Sequence, residues 1–154
     1  SNIGCSIYNP NELNYILDCM HVDIIQAPLN IIDRRLIDSG WLARLKTNLV
    51  EVHTRSCFLQ GLLLMSEYEL PTMFNHSKLL FNKWHHFIKE NNFTKLSACI
   101  SYVKSIKNLD KILIGVQNTN QLKEIINSTT RKINLNDIEF MHSKNLKLID
   151  PSRW

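Results

Sequence analysis

The run VEVHTRSCFLQGLLLM, Val50 to Met65, opens as a buried strand and passes through a polar knot, Thr54-Arg55-Ser56. It then enters the apolar segment FLQGLLL. An arginine and a serine at a strand end just before a glycine suit a negatively charged group. Arg55 offers a planar cation, Ser56 a hydroxyl, Gln60 an amide, and Gly61 a backbone that a ligand can approach closely. The same arginine has two competing partners in sequence, Glu51 and Glu67.

Three further runs resemble this strand: Ile3–Tyr8, Asp23–Pro28 and Lys111–Val116, alongside Leu49–Arg55 itself. All are rich in Ile, Val or Leu without strict alternation, as in strands of a parallel sheet buried on both faces. Helical segments separate them. Asn9, Pro10 and Glu12 have capping-box spacing, followed by a stripe of Tyr15, Ile16 and Met20. Ser39 is placed to cap a helix carrying Trp41, Leu42 and Leu45. Leu80, Trp84, Phe87 and Ile88 mark one amphipathic helix, and Thr94 caps another bearing Leu96, Ile100 and Val103. Asn118 and Gln121 open a helix with Leu122, Ile125 and Ile126, and a last helix is predicted over about Asn136–Asn145. Alternation of this kind implies an α/β fold, a parallel sheet with helical crossovers. The 154 residues suit one domain, and the polar connections KENNF and INSTTRKINLND are too short for linkers.

Composition narrows the function classes. Hydrophobic residues make up 44% and charged residues 21%, ordinary for a globular protein. The net charge of +4 is scattered along the chain, so no basic stripe points to nucleic acid. No apolar run reaches the ~20 residues that span a bilayer, and no signal peptide is expected. Cys5, Cys19, Cys57 and Cys99 share no C-x-x-C spacing and lie among apolar residues, as reduced core thiols of a cytoplasmic protein do. His85 and His86 are adjacent and diverge on a helix, so no metal site is expected.

The other strand ends also carry polar groups. Ser6 and Tyr8 end the first run, and Gln26 and Asn30 follow the second. A serine and a glutamine on neighbouring strands can hold a flat carboxamide, one donating and one accepting. Gly115 ends the fourth run ahead of a capped helix, whose free N–H groups attract anions. Ligands of α/β folds bind at this edge of the sheet.

In order and in spacing, GCSIYNPNEL, DIIQAPLNIIDRRL, VHTRSCFLQGLLL, ILIGVQNTNQLKEI and LIDPSRW resemble the C-terminal half of an aldo/keto reductase. The similarity is greatest to bacterial members with an RSxFLQGLL segment. That family folds as a (β/α)8 TIM barrel and reduces carbonyls with NADP or NAD cofactors. The resemblance makes this chain a half-barrel, its four parallel strands the family's fifth to eighth. It implies that Ser6 and Gln26 contact the nicotinamide carboxamide. Arg55 takes the position where many members stack an aromatic ring on the nicotinamide. Ser56, Phe58, Gln60 and Gly61 then lie along the pyrophosphate, and Gly115, Gln117, Asn118, Gln121 and Glu124 around the adenosine. Two departures stand out. Ile7 replaces an asparagine that many members use on the carboxamide. Gln117, Asn118 and Gln121 are neutral where many members place basic residues against a 2′-phosphate, which leaves NADP and NAD both open.

The family's catalytic aspartate, tyrosine, lysine and histidine belong to its first four strands. Tyr8, Tyr15, Tyr68 and Tyr102 do not match that tyrosine, so no catalytic residue is assigned. A complete barrel has about 250 residues. Half a barrel presents two open edges and, on this reading, an apolar inner face, which invite association. Such a chain is an excerpt of a longer enzyme, a homodimer, or the partner of a complementing N-terminal half. The alternative to a reductase half is a noncatalytic homodimeric nucleotide-binding or structural half-barrel. Met65–Asn75 is the one candidate substrate loop, with Leu70, Met73 and Phe74 read as pocket lining or core.

Overall fold

The computed structural model describes residues 2–128 and 132–154. Strands β1 (Gly4–Ser6), β2 (Ile24–Pro28), β3 (Glu51–Arg55) and β4 (Lys111–Ile112) pair in sequence order, every pair parallel. Between them run α1 (Glu12–Cys19), α2 (Arg35–Asp38), α3 (Trp41–Thr47), α4 (Lys78–Glu90) and α5 (Lys95–Ser105). After β4 come α6 (Thr119–Asn127), a 3-10 helix Leu135–Met141, α7 (Leu146–Ile149) and a final 3-10 turn Pro151–Arg153. Parallel neighbours require crossover connections, and here helices supply them. Four parallel strands alternating with helices in this order form half of a (β/α)8 barrel.

Register sets what each face carries. Ile25, Ala27 and Val52 are buried against Leu13, Leu36, Trp41, Leu42 and Leu45 of the outer helices. Side chains alternate along a strand, so Ile24, Gln26, Glu51, His53 and Arg55 project to the other, concave face. One row across that face reads Ser6, Gln26, His53, Lys111. Glu51 accepts a hydrogen bond from Lys111 Nζ at 2.7 Å, and His53 Nε2 lies 2.8 Å from the same oxygen. The expected apolar inner face is therefore wrong. Ile25, Ala27 and Val52 are spent on the helical layer, and apart from Ile24 and Pro28 the open side of β2 and β3 is polar.

A second core gathers α4, α5 and the closing segment. Phe81 and Trp84 pack with Leu59, Leu63, Tyr102, Ile138 and Met141. The Trp84 indole N–H donates to the Leu63 carbonyl at 3.1 Å, which ties α4 to the turn after β3. Phe74 is buried in this core and Leu70 packs against it, whereas Met73 is exposed.

Several local expectations shift. The Asn9 bonds form, with Glu12 accepting from Asn9 N and Asn9 from Asn11 N, yet α1 begins only at Glu12. Tyr15 and Met20 are exposed, and Leu13 is the residue α1 buries. Ser39 closes α2, donating to the Leu36 carbonyl, and Gly40 at φ 76° precedes α3 without a side-chain cap. Thr94 and Ser97 do form a reciprocal capping box on α5. The last predicted helix is a 3-10 helix that ends at Met141. Its two buried residues, Ile138 and Met141, are spaced by three, which is the repeat of that helix. Cys57 and Cys99 are buried as expected, but Cys19 is exposed and Cys5 only partly covered. Among the described residues, no helix is long and apolar enough to cross a membrane.

Candidate functional site

The C-terminal ends of β1, β2 and β3 bring the first group of polar residues together. Ser6 and Gln26 are register partners, and Ser6 Oγ donates to Gln26 Oε1 at 3.3 Å. That long bond leaves both side chains with capacity for a further partner. Ile7, one residue on, is fully buried in the outer core, so its side chain lies on the opposite face from Ser6.

Arg55 pairs with neither Glu51 nor Glu67. Its guanidinium donates to the Ile7 carbonyl at 3.0 Å and to Ser56 Oγ at 3.1 Å, and its carbon lies 4.6 Å from the Tyr8 ring centre. Two neutral oxygens and an aromatic face fix the plane of this cation without cancelling its charge. A narrow hollow of about 40 Å³ beside it is bounded by Tyr8, Asp33, Arg35 and the closing segment Ile149–Ser152.

The turn after β3 is held in an uncommon shape. Ser56 (φ 60°), Leu59 (φ 47°) and Gln60 (φ 54°) all lie in the left-handed region, followed by Gly61 (φ 87°). Left-handed backbone is unusual away from glycine, and its clustering marks a segment shaped by its surroundings. Asn30 supplies part of that constraint. Buried to 1% exposure, it donates to the Ser56 carbonyl at 3.1 Å. Its Oδ1 accepts from the N–H groups of Ile32 at 2.9 Å and Asp33 at 2.8 Å. Cys57 is buried beneath the turn, and burial pushes its thiol up to about 12.

From Arg55 a cleft of about 1260 Å³ runs along this turn to the start of α6. Ten predicted site residues line it: Gln26, Arg55, Ser56, Phe58, Gln60, Gly61, Gly115, Gln117, Gln121 and Glu124. Ser6 adjoins the cleft through Gln26, and Asn118 is engaged in the α6 cap, its Oδ1 accepting from Gln121 N at 2.9 Å. Gln121 in turn accepts from Gln117 N at 2.8 Å, closing the turn one residue before the expected capping box. Leu64, Thr94, Lys95, Leu96 and Ile125 also line the cleft and were not foreseen. Thr94 and Leu96 read in sequence as a cap and a core residue. Their place on the wall follows from how α5 packs.

Among the described residues no cluster of His, Cys, Asp and Glu can hold a metal ion. Tyr102 is buried with Arg34 over its ring at 5.3 Å, and burial pushes its hydroxyl up to about 12. Of the four tyrosines, Tyr8 alone stands beside the cluster.

The sequence model of the aldo/keto reductase family matches residues 1–146. The chain belongs to the aldo/keto reductase family. Solved structures carry the same fold at low identity. Aldo-keto reductase AKR11C1 from Bacillus halodurans, in its holo form, is 18% identical with a TM-score of 0.68, over 98% of this chain and 52% of that one. The glycerol dehydrogenase AKR11B4 from Gluconobacter oxydans is 13% identical with a TM-score of 0.65, over 97% of this chain and 50% of that one. This aldo/keto reductase chain thus spans about half the length of the solved structures it matches. No curated protein sequence matches it.

Proposed function

We propose that this chain is the C-terminal, cofactor-binding half of an aldo/keto reductase, its 154 residues forming one half-barrel domain with the family's fifth to eighth strands. The parent reaction is reduction of an aldehyde or ketone by NADPH or NADH, and the catalytic groups come from outside this chain. The observation that carries the reading is the immobilised cation at a parallel strand end. Arg55, fixed by Ile7, Ser56 and Tyr8, stands beside the Ser6–Gln26 pair in a cleft of about 1260 Å³ whose lining reaches α6. When bound, the nicotinamide supplies the hydride. The chain's own residues bind and orient it. Ser6 and Gln26 offer a donor and an acceptor to a carboxamide, Arg55 lays a flat cation beside the ring, and Ser56, Phe58, Gln60 and Gly61 follow the pyrophosphate. Gly115, Gln117, Asn118, Gln121 and Glu124 surround the adenosine.

The open edges at β1 and β4 and the uncovered concave face favour a partner that completes the barrel, either a complementing N-terminal half or a second copy of this chain. Native mass of the pure protein separates the two. Binding is tested by titrating the chain with NADPH and NADH and following nucleotide fluorescence. Saturable binding, weakened on the order of tenfold by Arg55→Ala, is the expected result. No saturation up to millimolar nucleotide overturns the proposal.

A further inference from the structure

Lys95 enters the cleft from a different element than the Arg55–Gly61 turn, as the first residue of α5 beyond its Thr94 cap. Among the described lining residues, Arg55 and Lys95 are the two cations and Glu124 the one carboxylate. Arg55 is already fixed by two oxygens and a ring. Lys95 is held by a single neutral acceptor, the Met65 carbonyl, at 2.5 Å. No carboxylate among the described residues lies within ion-pair distance of it. Glu67 and Glu69 act on it only from further away. It is half-buried, and this burial lowers its affinity for the proton, so its charge is under-compensated where it sits. The Met65 carbonyl has a second partner in His85 Nε2 at 3.2 Å. The lysine can therefore turn into the cleft without leaving that oxygen unpaired.

Resting on the cofactor-half reading above, we infer that Lys95 is a phosphate ligand of the bound nucleotide, a flexible cation opposed to the fixed one at Arg55. The oxyanion it meets is either the diphosphate bridge or a 2′-phosphate on the adenosine ribose, and the two are separable by experiment. Dissociation constants of the wild-type chain, Lys95→Met and Lys95→Arg are measured for NADH and NADPH at low and high salt. Methionine keeps the stem and removes the charge. Loss on the order of tenfold for both nucleotides assigns the diphosphate, and loss confined to NADPH assigns the 2′-phosphate. In either case arginine restores most of the affinity, and the difference between wild type and Lys95→Met shrinks as salt screens the charge. Lys95→Met affinities indistinguishable from wild type for both nucleotides overturn this inference and leave the cofactor-half reading standing. Failure of the wild-type chain to bind either nucleotide overturns both.

Discussion

Replacing Asn30 with alanine tests whether the turn after β3 is held from β2. The substitution removes three hydrogen bonds. Two leave the N–H groups of Ile32 and Asp33 without an acceptor inside a buried corner, and one releases the Ser56 carbonyl. A buried donor left unsatisfied costs about 1–3 kcal/mol, and a net hydrogen bond contributes about 1 kcal/mol. Partial relaxation of two adjacent donors brings the expected total to about 3 kcal/mol. For a chain of this size that lowers Tm by roughly 6–12 °C. Thermal unfolding followed by circular dichroism measures it. Asn30→Asp makes a sharper companion. It keeps both acceptor contacts but turns a carboxylate oxygen toward the Ser56 carbonyl. It should therefore unsettle the left-handed turn and nucleotide binding more than its stability loss suggests. An Asn30→Ala protein that melts within a degree or two of wild type would refute the reasoning, because Ile32 and Asp33 would then have found other acceptors.

Two further outcomes are expected. A methyl group at Gly4 would sit 2.8 Å from the Ile24 carbonyl oxygen and 2.9 Å from its Cβ, both backbone-near atoms that cannot swing away. Gly4→Ala should push β1 off β2 and lower Tm, and it should open the Ser6–Gln26 contact, seen as weaker nucleotide binding in the same titration. His85 titrates with the fold. Burial, and then the Lys95 charge, hold its pKa below the usual histidine value, against the opposing pull of the Met65 carbonyl and Glu67. The unfolded chain then binds that proton more tightly, so stability is full above the ordinary range and declines as pH falls through about 6.5. Tm measured from about pH 5 to 7.5 should slope upward, and His85→Gln should flatten that slope.

The architecture was legible because β2 is an apolar run, because β3 buries Val52 and Thr54 in alternation with polar residues, and because the caps at Thr94 and Asn118 are local chemistry. The outer strands were read too long. Ladder pairing at β4 stops at Ile112 although the chain stays extended enough for Leu113 N to reach the Thr54 carbonyl. What sequence could not show is the meeting of distant segments. Arg55 orients on the Ile7 carbonyl 48 positions away, while its carboxylate neighbours in sequence point elsewhere. Nothing in the sequence singles out Lys95. Only the approach of α5 to the Met65 carbonyl places it in the cleft. The concave face differs from expectation for a related reason: Glu51 and His53 alternate with Val50 and Val52, and those two valines serve the other side.

That concave face bears on what closing the barrel costs. Any surface laid over Glu51, His53 and Lys111 must strip water from a carboxylate, an imidazole and an ammonium group together. Their mutual attraction returns only part of that dehydration cost unless the incoming side brings polar partners of its own. An oily cap is a poor match, and closure over this row selects for a face that is itself hydrogen-bonding.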